Sequence, residues 1–596
     1  MISVRTRRSL VVLTAIALWV GYGKYLFHLF ENSRFFSHLS DAEREMTYRT
    51  EMGLYFSFYK TLISSDFSTW QNHLLKDNVT EYGHSINTLQ RFNLYSEVLV
   101  ALAFRCYKSV TKYFELNDQE CWKVNRGDDL SPIESCEGLG NSHYFYVRSV
   151  FAVAGSVLPS IFIGGTIFSG YIGGLMAASA FIFNQGEATR VQWTPPLRES
   201  FAYPMFVAQI VLLTHILKSG HVSRFAAIRF HLLHHRFLCV LAVESLLFAY
   251  SLGFVPLLLL SSLWRLFTLS FLLSLGLLFG NVMLLNSLFF TSLFSIKMIL
   301  IVRPLLLRLS PLPLFSLAHL VLYASGTLGI KLLLQRLGVE VTKKNHSGGR
   351  SCSFAKFTDS HTFHTRLYTC APEFDFMDFE TIRKLTSTWL LPLGALSILL
   401  LINALFKTEI LSGNWRNVSK KCLYHAIQLG CFCVMALVVM RLKLFATPQI
   451  CPALFMDCEP GFAWCSSCPL FASFWLSLLL AGMASRGWTN VREQLEIQGE
   501  YNNPEQERLF HWIDKNTKKN AVFAGTMALM ANVKLSTLRP IFNHPHYESE
   551  EVRNRTLLVY SLYSRKPLDE VHLSLQSAAI QFYVLQPQQC IEAHPK

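Results

Sequence analysis

Long apolar runs separated by short polar ones dominate the chain. The first runs from Ser9 to Phe30, and others lie at 145–165, 168–184 and 201–217. Residues 225–335 have room for about four or five more, and later runs fall near 388–406, 421–440, 445–464 and 466–484. Roughly 20 apolar residues cross a bilayer as a helix, so the pattern predicts a polytopic α-helical membrane protein. Polar stretches divide it into 1–30, a first loop 31–144 with amphipathic helices, a bundle 145–335 interrupted by a hairpin at 185–200, a loop 336–386, a second bundle 387–484, and a terminal soluble domain 485–596 of mixed α/β pattern. In that last domain Glu505 to Lys515 reads as a helix, Ala521 to Gly525 as a short strand and turn, and Leu557 to Tyr563 as another strand.

Composition sharpens the class. The chain has 596 residues, 51% hydrophobic and 16% charged, against roughly a quarter charged in soluble domains, which excludes an ordinary soluble enzyme. Net charge is 54 − 40 = +14, but no cation cluster is dense enough for nucleic acid. The cations sit at the ends of apolar runs, where they set orientation and meet lipid headgroups.

Arg5, Arg7 and Arg8 precede the first run and place the N-terminus in the cytosol, without the short core and cleavage site of a signal peptide. The first loop is then lumenal, as the glycosylation sequon at Asn78 requires. A second sequon lies at Asn345 and a third, at Asn554, puts the terminal domain in the lumen. The basic loop around Lys407, Arg416, Lys420 and Lys421 is cytosolic, and the expected number of spans is odd, about 13. Cys121 and Cys136 are placed to pair if their loop is oxidised.

Two segments carry candidate chemistry. On a helix, Glu51, Tyr55 and Phe58 fall at i, i+4 and i+7 and share one face. A carboxylate among rings near a membrane surface is costly unless it pairs or acts, and Arg49 and Lys60 are the nearby candidate partners. A plain interfacial helix with solvated acids has the same spacing. In the hairpin, Pro195 and Pro196 stop any helix, and Arg190 and Arg198 are positioned to clamp a lipid-linked phosphate or simply to snorkel to headgroups. His231, His234 and His235 have di-iron spacing without the companion clusters, and Cys465 and Cys468 lack a second pair, so no metal is expected.

Long collinear strings resemble the tryptophan C-mannosyltransferases, the dumpy-nineteen-like family: Tyr48 to Lys60, Glu81-Tyr82-Gly83-His84, Arg91-Phe92-Asn93-Leu94-Tyr95, Ser131 to Gly140, Trp193 to Ser200, Glu373-Phe374-Asp375-Phe376-Met377, and Leu538-Arg539-Pro540-Ile541 with Asn543-His544-Pro545-His546-Tyr547. The resemblance runs from about residue 20 to 570. It implies a GT-C-type glycosyltransferase of the endoplasmic reticulum membrane, moving mannose from dolichyl-phosphate mannose to carbon 2 of a tryptophan indole. The acceptors it implies are Trp-x-x-Trp stretches of secretory proteins such as thrombospondin repeats, with no metal or diffusible cofactor. Glu51 matches the family's essential acid, with Glu43 and Glu45 as further acids nearby. Arg190, Arg198, Arg539 and His546 are the expected donor contacts, and Tyr55 and Phe58 the expected acceptor contacts. Residues 225–262 depart from the family pattern, reading Ile228-Arg229-Phe230-His231, and the tail is shorter than the pattern implies. A catalytically impaired paralogue serving as a membrane scaffold is the alternative.

Overall fold

The computed structural model describes residues 4–66, 69–126, 131–219, 223, 226–233, 261–277, 285, 287–306, 312–336, 363–369, 371–405, 420–453, 469–547 and 549–586. Among these, three helical stretches are long and apolar enough to cross a membrane: Arg5–Asn32, Ser142–Phe183 and Arg198–Ser219. Leu10, Leu13, Ile16 and Val20 of the first are exposed, as a face turned to lipid should be.

The membrane part is organised around a helical hairpin. Helix α1 (Val4–Asn32) packs on α2 (Ser142–Gly155) and α3 (Val157–Phe183), and α3 also packs on α4 (Arg198–Ser219), α5 (Lys443–Ala453) and α6 (Pro469–Leu495). Helix α3 breaks at Ser169 and Gly170, where Gly170 has φ 77°, a conformation that glycine adopts without steric cost. The chain turns back there and the two halves touch through glycines. A Cβ on Gly165 would lie 2.7 Å from the Gly173 carbonyl oxygen, and one on Gly174 2.6 Å from that of Phe162. The two halves of α3 are thus packed segments joined through Ser169 and Gly170, with Arg7 of α1 beside the turn.

The first loop and the terminal domain share one core. Strand β1 (Phe523–Gly525) pairs in parallel with β2 (Phe582–Val584), and Ile541 pairs with Phe523 on its other side. The loop supplies the outer edge: Ile541 N–H donates to the Val79 carbonyl at 2.9 Å, and Tyr82 N–H to that of Ile541 at 3.1 Å. Met46 packs with Phe510, Ile513 and Phe523. Segments read separately from sequence are therefore one folded unit. Glu505–Lys515 falls inside the helix Pro504–Asn516. Leu557–Tyr563 is not a strand but the end of the helix Glu550–Tyr560 and a following turn. The helical period shows only in a longer window: Val552, Thr556 and Val559 are buried at i, i+4 and i+7, with Glu551 and Arg555 paired at 2.8 Å.

Cys121 and Cys136 form a disulfide across an antiparallel hairpin, Glu120–Val124 against Ile133–Glu137. Fully buried Arg44 donates to the Cys136 carbonyl at 2.8 Å and to Ser135 Oγ at 2.9 Å, and Arg126 joins Glu43 at 3.0 Å to Glu507 at 2.7 Å. The hairpin thus staples the loop to the terminal domain. Replacing both cysteines by serine frees a separation of 15 residues and should cost about 3 kcal/mol. A lower thermal midpoint of the detergent-purified protein is the expected result; an unchanged one would deny the staple its role.

Candidate functional site

Helix α7 (Glu51–Ser64) begins at the candidate acid itself. Thr50, just before it, holds φ 56° and ψ −132°, a strained conformation for a β-branched residue that costs about 1–3 kcal/mol. The turn is tight: a Cβ on Gly53 would lie 2.6 Å from the Tyr48 carbonyl oxygen. Tyr55 and Phe58 do share a face with Glu51, but both rings are buried. The Arg198 guanidinium lies 3.8 Å from the Tyr55 ring centre, and the Lys534 ammonium 3.4 Å from that of Phe58. Phe58 is therefore packed into the junction with the terminal domain, against Phe92.

The two acids expected nearby are each held by a cation. Glu43 caps its own helix through Ser40 and pairs with Arg126, and Glu45 pairs with Lys60 at 2.5 Å. Lys60 is thus committed elsewhere. The charge of Glu51 instead acts on Arg441 and His546.

The two hairpin arginines hold different carboxylates. Arg198 starts α4 and donates through Nη1 to Glu97 at 2.6 Å and to Ser96 at 3.2 Å, while its Nε and Nη2 are buried without a hydrogen-bond partner. Unsatisfied buried guanidinium N–H groups are costly and call for an anion. Arg190 donates to Glu199 at 3.2 Å and to Glu373 at 2.5 Å. The guanidinium beside it is Arg441, which reaches Glu199 at 3.0 Å. Lys443 binds Glu187 at 2.5 Å, and Arg34 donates to the Trp193 carbonyl at 2.6 Å, so the hairpin is held at both ends and along its tip.

His546 faces the edge of Tyr55, ring centres 6.3 Å apart, and burial lowers it to about 4, leaving a neutral imidazole at neutral pH. Arg539, expected at the donor, is spent elsewhere: it donates to the Thr537 carbonyl at 2.8 Å and to that of Thr517 at 3.2 Å, and pairs with Asp514 at 3.6 Å. It fastens the end of the helix Met527–Thr537, because its position two residues past that helix puts free carbonyls within reach. Asn78 and Asn554 are both exposed, whereas the hydroxyls of their sequon threonines are buried, Thr80 on Asp77 and Thr556 on the Val552 carbonyl at 2.7 Å. Asn345, His234, His235, Cys465 and Cys468 lie outside the described residues. Among the described residues, Cys121, Glu134 and Cys136 group as metal ligands would, but the two sulfurs are already bonded to each other.

A second buried ion group locks the floor of the site. Glu81 and His544 are fully buried, with His544 Nε2 3.2 Å from the carboxylate, and Arg91 binds the same carboxylate at 3.2 Å. Burial alone would raise the Glu81 carboxyl. The hydrogen bond from His544 and the charges of His544, Arg91 and Arg555 outweigh it and hold it at about 2, below its ordinary 4.5. A carboxyl depressed by folding stabilises fully above pH 4.5, and that contribution is lost as pH falls toward 2. Glu81→Gln should cost about 3 kcal/mol at neutral pH and flatten the acid side of the stability profile. A wild-type thermal midpoint that is constant across this window would refute the linkage.

Charged side chains thus gather at the ends of the membrane-length helices, against the folded unit built from the first loop and the terminal domain. The archaeal oligosaccharyltransferase AglB of Archaeoglobus fulgidus, solved with an inhibitory peptide and a dolichol-phosphate, shares the fold at TM-score 0.59 and 10% identity, over 96% of this chain and 69% of that one. A family model described as "Dpy19: Q-cell neuroblast polarisation" matches residues 16–596. The chain belongs to the Dpy19 family. It is 44% identical to the C-mannosyltransferase dpy-19 of Caenorhabditis elegans, over 99% of this chain and 88% of that protein. It is 39% identical to the human protein C-mannosyl-transferase DPY19L1, over 98% and 88%.

Proposed function

We propose that this chain is a protein C-mannosyltransferase that moves mannose from dolichyl-phosphate mannose to carbon 2 of tryptophan in Trp-x-x-Trp stretches of secretory proteins. The observation that carries the site is the pairing, across Tyr55, of the Glu51 helix start with the partly unsatisfied Arg198 guanidinium. The donor's phosphate binds Arg190 and Arg441 at headgroup level, with the free N–H groups of Arg198 available from the Tyr55 side, while the polyprenyl chain stays in lipid. The indole approaches Glu51.

One displacement accounts for the chemistry. Indole C2 forms a bond to the anomeric carbon as the bond from that carbon to phosphate oxygen breaks, with inversion. The guanidinium groups stabilise the charge developing on the phosphate. Glu51 stabilises the cationic ring and then takes the proton from C2, restoring aromaticity. The residues supply both terms themselves, and no metal or diffusible cofactor enters. The enzyme resides in the endoplasmic reticulum membrane, N-terminus cytosolic and terminal domain lumenal, with acceptors that include thrombospondin repeats. Co-expression with a thrombospondin repeat in cells lacking C-mannosylation tests it: mass spectrometry should find one added hexose on tryptophan. An unmodified repeat beside well-folded enzyme would favour the scaffold alternative.

A further inference from the structure

We propose, on the donor-site reading above, that Glu373 is an internal anion that fills the donor-phosphate position at rest and withdraws when the lipid phosphate arrives. Arg190 and Arg441 share two carboxylates, held differently. Glu199 is bound through both oxygens: Oε2 accepts from Arg190 Nε at 3.2 Å, and Oε1 from Arg441 Nε at 3.0 Å and also from its Nη2. Glu373 is held through one, with Oε2 2.5 Å from Arg190 Nη1 and 3.9 Å from Arg441 Nη1.

Glu199 lies in the first turn of α4, its side chain 22% exposed, whereas the Glu373 side chain is 49% exposed on the three-residue turn Pro372–Phe374. The backbone around that turn is pinned. Met440 N–H donates to the Asp375 carbonyl at 2.8 Å and Met377 N–H to that of Leu437 at 3.1 Å. The side chain of Glu373 is therefore the member free to swing out without moving its neighbours.

Charge balance favours the exchange, the more so because Glu51 also acts on Arg441. Two guanidinium groups and two carboxylates sum to 2 − 2 = 0. A phosphodiester adds one negative charge, and with Glu373 still in place it would meet a like charge at contact. Displacing Glu373 keeps the group neutral. After transfer the leaving lipid is a phosphomonoester of charge about −1.5 to −2, which overfills the site. Return of Glu373 then opposes it and speeds release.

The test measures binding of farnesyl phosphate, a short polyprenyl phosphate, to the full-length protein in phosphatidylcholine nanodiscs. Glu373→Gln, which keeps the shape, should tighten binding roughly 3–5-fold, the upper scale of a half-exposed charge pair. Glu373→Asp should stay near wild type, and Arg441→Ala should weaken binding. In an Arg190→Ala background the gain from Glu373→Gln should shrink to less than about twofold, since the two residues are coupled. Unchanged or weaker binding by a folded Glu373→Gln protein, when the wild type binds, would overturn the proposal alone. Absence of binding by every form would overturn the donor-site reading and the proposal with it. Phosphatidic acid competing as well as farnesyl phosphate would assign the exchange to bulk headgroups and overturn it too.

Discussion

Glu51→Gln is expected to lose about 10²–10⁴-fold in transfer rate, the usual cost of removing a general base, while keeping fold, donor affinity and peptide affinity. Glutamine fills the same volume at the first residue of α7 and leaves the strained Thr50 turn and the Gly53 contact in place. What it removes is the negative charge that faces Arg441 and His546 and, in the reaction, the cationic indole. Glu43→Gln and Glu45→Gln are the controls. Their carboxylates are engaged by Arg126 and Lys60, so their loss should appear in the thermal midpoint and change turnover only a few-fold. Near-normal turnover by Glu51→Gln would strike Glu51 from the mechanism.

Arg198 is expected to show the next largest loss. Removing one hydrogen-bond donor aimed at charge that develops in the transition state costs about 10²–10³-fold. Arg198→Ala also strands Glu97, which is fully buried and holds Arg198 at 2.6 Å, so part of the loss would be structural. Arg198→Lys separates the two. It keeps the charge for Glu97 but not the planar fork, so the thermal midpoint should recover more than the activity does. Arg190→Ala should lose less than Arg198→Ala, because Arg441 still holds Glu199. A wild-type KM for donor in Arg198→Lys would remove the guanidinium from phosphate binding.

Helical spacing alone made the Glu51, Tyr55 and Phe58 face legible, because residues four and three apart meet on any helix. Periodicity could not show what covers that face. Arg198 and Lys534 reach the rings from other segments, and each side chain's partner is set by tertiary packing rather than by local pattern. Arg441 and Glu373 were missed as site members for the same reason: both lie far along the chain from Arg190, and although Glu373 stands in a string shared with the family, nothing local pairs it with that arginine. Opposite charge beside membrane helices is a signal that many loops share. Arg539 stands at a helix end, where its guanidinium takes carbonyls that a local pattern does not reveal. The apolar runs mark the helices on both sides of Gly170, but the strand read at Leu557–Tyr563 came from a window too short to separate a period of 2 from one of 3.6.

The most direct measurement is transfer by the purified full-length protein from dolichyl-phosphate mannose to a Trp-x-x-Trp peptide, with the product sequenced by fragmentation mass spectrometry. The account predicts one hexose that stays attached to the tryptophan side chain and breaks across the sugar ring, as a carbon–carbon link must, and its absence from the Glu51→Gln reaction. A hexose shed intact or found on another residue, or an unmodified peptide with folded enzyme and bound donor, would contradict it.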